Sequence, residues 1–323
     1  MKAAVVRSAG SGPVYGEFDE PVVAADQTLV SLVAAGIHPV VRSVAGGGHY
    51  ASAGTWPLIP GLDAVARTAE GTLVYTGYVR APYGTFAERM AVPAGLGFPL
   101  PADADPVPVA AGVNPGLSSW LPLRARAAEV ERLGTVLILG VTGAAGRLAV
   151  QNALAVGAER VVGVGRNPEG LARAGSMGAE ALALTGDVAT DTAAMVEALA
   201  GQAPTLVLDF VWGDGGRDGL RGARTPRDGE DTADVSYVEI GAMSGAKARV
   251  PAALLRSRRL RISGSGVGST PLAVLGREIP AYLELIANGA VTVAAQAYDL
   301  ADVATAWAAA SDGGPRPVVV APA

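Results

Sequence analysis

The sequence predicts an α/β protein built from a β-rich first third and a central, doubly wound parallel sheet. Two observations carry that prediction. Residues 1–115 are cut into short β-branched runs by closely spaced glycine and proline, the pattern of strands joined by turns and loops. Near Gly134 the pattern changes to apolar strands alternating with helix-like segments, about six strands by residue 266.

The early runs are KAAVVR, QTLVSLVAAGI, AVARTA, GTLVYTGYV and FAERMAVP, and no long helical period precedes residue 107 or so. VLILG (136–140) is continuously apolar, as a strand covered on both faces should be. GRLAVQNALAVGA follows as a helix, then the strand VVGVG (161–165), a helix over Glu169–Ser176, and the strand ALALTG. The helix DTAAMVEALA leads to the strands TLVLDFV, VSYVEIG and LRISGSG. Residues 213–234, dense in charge and glycine, read as a solvated loop. The tail offers two helices, PLAVLGREIPAYLELIANG and LADVATAWAAAS, and a closing strand, RPVVVAP.

Composition excludes several classes of function. The chain has 323 residues, half of them apolar, so it has the material for two cores. A net charge of −5 argues against a nucleic-acid backbone or an anionic membrane surface as partner. No apolar run approaches the ~20 residues that cross a bilayer. The opening MKAAVV carries no basic-then-apolar signal, so a cytoplasmic protein is expected. The absence of cysteine rules out disulfides, a thiolate nucleophile and cysteine-bound zinc.

GVTGAAG (140–146) lies between the first buried strand and the first helix, where a phosphate loop belongs. Such a loop needs glycines for the tight turn, for close backbone approach to a pyrophosphate and for helix–strand packing. Gly143 and Gly146 fill the second and third places, while the first falls on Val141, one residue after Gly140. Thr142, Gly143, Ala144, Ala145 and Gly146 are thus candidate cofactor contacts. An NAD site would carry an acidic residue at the end of the second strand. Gly165, Arg166 and Asn167 stand there instead, a guanidinium to pair with a 2′-phosphate and no carboxylate to repel it, which points to NADP(H).

MKAAVV, AAGIHPVVRSVAGGGHY, PLIPGLDAVARTAEG, YGTFAERMAVP, NPGLSSW, VLILGVTGAAGRLAVQ and VEIGAMSG occur in the order of the medium-chain dehydrogenase/reductase superfamily. Over most of its length the chain resembles that superfamily's zinc-independent quinone oxidoreductase group. The resemblance implies a GroES-like catalytic domain from residues 1–117 and 267–323, a Rossmann NADP(H)-binding domain over 118–266, and a cleft between them. It also implies a homodimer, paired through the last Rossmann strand. Zinc-dependent members carry Gly-His-Glu after the P-x-x-P-G turn; here PLIPGLDAV puts Leu62 and Asp63 in place of His and Glu, so no metal is expected.

The implied reaction is hydride transfer from NADPH to a quinone or an α,β-unsaturated carbonyl, with a donor meeting the negative charge that develops on oxygen. In the stretch 36–50 the family's tyrosine maps onto Tyr50, the candidate donor. His38 replaces the family's asparagine, and is a candidate partner of the nicotinamide or substrate, or else a histidine satisfied by backbone at a strand end. Val41 replaces the usual Asp. Asn114 and Ser118 match a stretch that lines the nicotinamide in relatives, and Gly241, Ala242 and Met243 would supply backbone to it. Trp212 covers the cofactor or simply packs. Two alternatives stay open, an enoyl-thioester reductase of the same superfamily and a non-catalytic NADPH-binding redox sensor. A short-chain dehydrogenase is excluded because no tyrosine has a lysine four residues on.

Overall fold

The computed structural model describes residues 1–213, 233–310 and 314–322. Most of the charged loop read from the sequence, residues 214–232, falls outside the described residues. The chain divides into two compact units, residues 1–115 with 272–323 and residues 116–271.

The first unit is built on a seven-stranded sheet. Its members are β3 (Gln27–Gly36), β4 (Asp63–Arg67), β5 (Leu73–Gly77), β6 (Arg89–Pro93), β7 (Phe98–Pro99), β14 (Ala295–Asp299) and β15 (Arg316–Val320). The path runs β14-β15-β3-β4-β5-β7, with β6 also paired to β3, and β14 lies parallel to β15 while the other pairs are antiparallel. A two-stranded ladder, β1 (Lys2–Val5) with β2 (Val14–Glu17), stands beside it. Residues of these strands, Val5, Val30, Leu32, Met90 and Val319, are buried in one core with Ile37 and Phe86 beside them and Leu300 and Val303 from the tail.

Four elements here were not anticipated: the short strands β2 and β7, a helix and the strand β14. The stretch 36–50 contains a short helix, α1 (Pro39–Ala45), with His38 as its N-cap residue. Pro39 at its first turn has the ring-fixed φ and missing N–H that a helix start tolerates. Its one inward stripe, Val41 and Ala45, is too brief for periodicity to reveal. The strand β14, sequence AQAYD, has only a weak alternation and owes its form to pairing with β15.

The second unit holds six parallel strands: β8 (Thr135–Leu139), β9 (Arg160–Gly165), β10 (Glu180–Ala183), β11 (Leu206–Asp209), β12 (Val235–Glu239) and β13 (Leu260–Gly264). Their order is β10-β9-β8-β11-β12-β13, all parallel, which is the doubly wound arrangement expected from the alternating pattern. Helices α3 (Ala144–Val156), α4 (Pro168–Ser176) and α5 (Val188–Ala198) make the crossovers in the first half. From α3, Ala149, Val150 and Ala153 pack on Val136, Ile138 and Leu206 of the sheet. On the opposite face Leu137, Val162 and Val207 meet Met195, Leu199 and the fully buried Tyr237. Burying both faces explains why these strands read as unbroken apolar runs.

A long helix, α2 (Pro106–Glu129), contains the boundary between the units. Short α6 (Ala252–Ser257) precedes β13, while α7 (Leu272–Ala287) and α8 (Val303–Ala309) form the tail. Among the described residues no helix is long and apolar enough to cross a membrane.

Candidate functional site

In a doubly wound sheet the ligand crevice lies at the carboxyl ends of the strands where the strand order reverses. In the second unit this point is between β8 and β11, and the Gly140–Gly146 loop leaves β8 there. Gly140 has a positive φ of 88°, and a Cβ on it would press against Val211 and Phe210 of the loop after β11, 3.1 and 3.3 Å away.

The other two glycines of the loop differ in kind. A Cβ on Gly146 would lie 2.4 Å from the Gly140 carbonyl oxygen and 2.7 Å from Val141 Cα, so helix and strand touch through it. A Cβ on Gly143 would meet only the Gly140 oxygen, at an ordinary 3.6 Å. Gly146 is therefore fixed by packing, whereas the space over Gly143 is open to a ligand. Gly143 is also the N-cap of α3 and no side chain caps that helix, so the N–H groups of Ala144, Ala145 and Gly146 have no intrahelical acceptor. Open backbone donors at a helix N-terminus suit a pyrophosphate.

Thr142 is wedged between Gly165 and Gly170, whose Cβ atoms would stand 2.5 and 2.6 Å from its side chain. Its carbonyl accepts 2.5 Å from Arg147 Nη1. Burial, and then the charge of Arg173, holds the Arg147 guanidinium below its ordinary pKa. Arg147 escaped the sequence reading because it sits inside what looked like an ordinary helix.

Arg166 and Asn167 are exposed just beyond β9. Among the described residues Arg166 has no hydrogen-bond or ion-pair partner, so its guanidinium is available to an anion. Asn167 has a structural task, since its side-chain oxygen accepts 2.7 Å from Gly170 N and caps α4. After β11, Asp209 Oδ1 accepts from the N–H groups of Val211 and Trp212 at 2.7 and 2.9 Å, and Tyr237 donates to Oδ2 at 2.6 Å. This holds Trp212 at a φ of 47°. Gly241, Ala242 and Met243 follow β12, with Gly241 N bonded to Asp209 O and Met243 largely exposed. Ser118, on α2, is partly buried, and its carbonyl accepts from Ser265 Oγ at 2.9 Å.

In the first unit, Tyr50 is 74% exposed and its ring lies against His49, centroids 4.1 Å apart. His38 is only 1% exposed, and among the described residues neither ring nitrogen makes a well-formed hydrogen bond, the Ala110 carbonyl being a weak contact at most. Burial, with the Arg316 charge adding to it, lowers its pKa to about 3 against a small opposing pull from the Ala110 carbonyl. The imidazole is therefore neutral throughout the physiological range.

Beside His38 is a group whose chemistry the sequence did not disclose. Asp63 Oδ1 lies 4.0 Å from His38 Nε2. The carboxyl is buried; Tyr75 Oη donates to Oδ2 and Asn114 Nδ2 donates to Oδ1, both at 3.0 Å. Burial raises its pKa to about 7, against the lowering effect of those two donors. The sheet register makes this possible: Asp63 faces Gly77 across β4 and β5, so Tyr75, two residues along, shares its face and reaches it diagonally. The signal in the sequence was an acid at the head of the apolar run DAVA, just after a Pro-Gly turn.

Among the described residues no three His, Asp or Glu side chains gather as metal ligands.

No family model matches the chain. A curated protein of Emericella nidulans, named "Probable NADPH-dependent quinone reductase tdiC", is 29% identical over 361 aligned positions, covering 99% of this chain and all of that one. Among solved structures, the quinone oxidoreductase of Thermus thermophilus, also solved in complex with NADPH, is 27% identical with a TM-score of 0.79, covering 99% of this chain and 100% of that one. A mycobacterial quinone oxidoreductase shares the fold at 21% identity and a TM-score of 0.80, each chain 99% covered. Over 99% of its length the chain is thus similar to a protein named as an NADPH-dependent quinone reductase and to a solved quinone oxidoreductase, and it shares with them the two-part fold of a GroES-like and a Rossmann unit.

Proposed function

We propose that this protein is an NADPH-dependent reductase of quinones or α,β-unsaturated carbonyls. The observation that carries the reading is the Gly140–Gly146 loop at the switch point of a six-stranded parallel sheet, with Arg166 and no acid at the end of the neighbouring strand. The likeness to proteins named as quinone reductases, one of them solved with NADPH, supports it.

The central unit is the cofactor domain. The N–H groups of Ala144, Ala145 and Gly146 would hold the pyrophosphate in the open space over Gly143 and Arg166 the 2′-phosphate, with Thr142, Gly165 and Asn167 shaping the adenosine end. Asn114, Ser118 and the backbone of Gly241, Ala242 and Met243 would meet the nicotinamide. When bound, the dihydronicotinamide supplies two electrons as hydride. The residues of this chain orient it, keep water out and meet the charge that appears on the acceptor oxygen. We assign Tyr50 as the donor to that oxygen. His38, sealed and neutral, acts from behind the surface, next to Asp63.

The balance is one quinone, one NADPH and one proton giving one hydroquinone and one NADP⁺. No step needs a Lewis acid, because a quinone or enone is already electron-poor, so we assign a zinc-independent mechanism. A cytoplasmic homodimer completes the reading, with β13 at the sheet edge as the pairing strand.

The test is NADPH oxidation with 1,4-benzoquinone and 9,10-phenanthrenequinone, with and without a strong chelator. Turnover unaffected by chelator is expected. Tight NADPH binding with no turnover of any quinone or enone would instead make the protein a redox sensor.

A further inference from the structure

Asp63 is buried, yet it bonds to Asn114, which is partly exposed. A primary amide can turn over and exchange its donor and acceptor ends at little cost unless a neighbour fixes it. Asp63 Oδ1 takes one hydrogen of the Asn114 Nδ2 group at 3.0 Å. Tyr75 Oη holds the other carboxyl oxygen, also at 3.0 Å, and the Asp63 carbonyl accepts from Thr85 Oγ1 at 2.9 Å. The acid is thus clamped through both its side chain and its backbone.

We infer that Asp63 is a positioning residue that fixes the Asn114 amide, leaving the Asn114 carbonyl oxygen and second N–H to pair with a ligand carboxamide. This rests on the cofactor reading above, in which that ligand is the nicotinamide carboxamide, which offers both a donor and an acceptor in return.

The groups around the Asp63 carboxyl are the neutral His38 ring, the Tyr75 and Tyr78 phenols and the Asn114 amide. None of them is cationic near neutral pH. Burial therefore dominates, and the acid titrates near neutrality. Only the carboxylate accepts on both oxygens without rearrangement, so the grip on Asn114 strengthens as pH rises through about 7.

The test compares dissociation constants for NADPH and for 2′,5′-ADP, which has the 2′-phosphate but no nicotinamide, across pH 5.5–8.5. Losing a neutral amide–amide hydrogen bond to the ligand should cost up to roughly tenfold in affinity. Asp63→Ala and Asn114→Ala should each weaken NADPH by up to about tenfold at pH 8 and leave 2′,5′-ADP within about twofold. The double variant should be no weaker than either single one. Asp63→Asn keeps an acceptor for Asn114 and cannot ionise. It should bind NADPH nearly as well as the parent, with the ratio of the two constants independent of pH. Should Asp63→Ala not fold, Tyr75→Phe, which loosens only the clamp, should shift the same ratio in the same direction. Equal weakening of both ligands, or fully additive effects of the two alanine variants, overturns the positioning role. A parent protein that binds 2′,5′-ADP but not NADPH overturns it too, and one that binds neither overturns the cofactor reading as well.

Discussion

Asn114, on α2, donates its side-chain amide to the carboxyl of Asp63, on β4, at 3.0 Å, so a helix and a sheet strand 51 residues apart in sequence meet at one buried acid. Burial raises the pKa of that acid while, 4.0 Å away, it lowers that of His38. The two opposite shifts make separable predictions.

Asp63, with an ordinary carboxyl pKa of 3.8 raised to about 7 on folding, keeps a proton in the folded state that the unfolded chain has released. Its contribution to stability is fully present below about pH 4 and falls as pH rises to about 7. His38, lowered from 6.5 to about 3 with Arg316 nearby, behaves in the opposite way: its contribution is present above pH 6.5 and falls as pH drops towards 3. The Tm of the parent minus that of Asp63→Asn should therefore decline between pH 4 and 7. The same difference against His38→Gln should decline as pH is lowered from 6.5. Thermal melts of the three proteins across pH 4–8 check both slopes.

The two glycines of the phosphate loop should separate stability from binding. In Gly146→Ala the new methyl meets backbone atoms at 2.4 and 2.7 Å, an overpacking cost of roughly 1–3 kcal/mol. In Gly143→Ala the methyl has room and the backbone has φ −73°, so stability should change by less than about 0.5 kcal/mol. NADPH affinity should nonetheless fall at least tenfold, since the methyl occupies the space proposed for the pyrophosphate. Calorimetric melts and fluorescence titration read the two effects separately.

Arg166→Ala removes the guanidinium proposed for the 2′-phosphate. NADPH should weaken by about 10- to 100-fold, the scale of a charge-assisted hydrogen bond. NADH should bind as before, and equal loss for the two cofactors would remove Arg166 from that role.

Tyr50→Phe tests the donor assignment. Tyr50 is largely exposed, so folding should change little while kcat with a quinone falls about tenfold and the KM for NADPH holds. Unchanged turnover would leave the phenol as pocket wall.

The parallel sheet was legible because VLILG and VVGVG are buried on both faces and alternate with helices of ordinary length. Glycine spacing likewise located the loop, but could not tell that Gly146 serves packing and Gly143 leaves room, since that depends on where the Gly140 carbonyl points. His38, Asp63, Tyr75 and Asn114 lie on four separate segments, and only the register of β4 on β5 and the placing of α2 bring their polar atoms together. Each looks unremarkable in its own stretch. The helix after His38 was hidden for a different reason, as two inward residues in seven do not make a period.

The most direct test of the account is a single-turnover measurement with NADPH deuterated at the transferred C4 position and 9,10-phenanthrenequinone as acceptor. Bound NADPH should be oxidised in one phase, stoichiometrically with hydroquinone formed, and more slowly for the deuterated cofactor. NADPH that binds but is oxidised by no quinone or enone, or no faster than without protein, would contradict it.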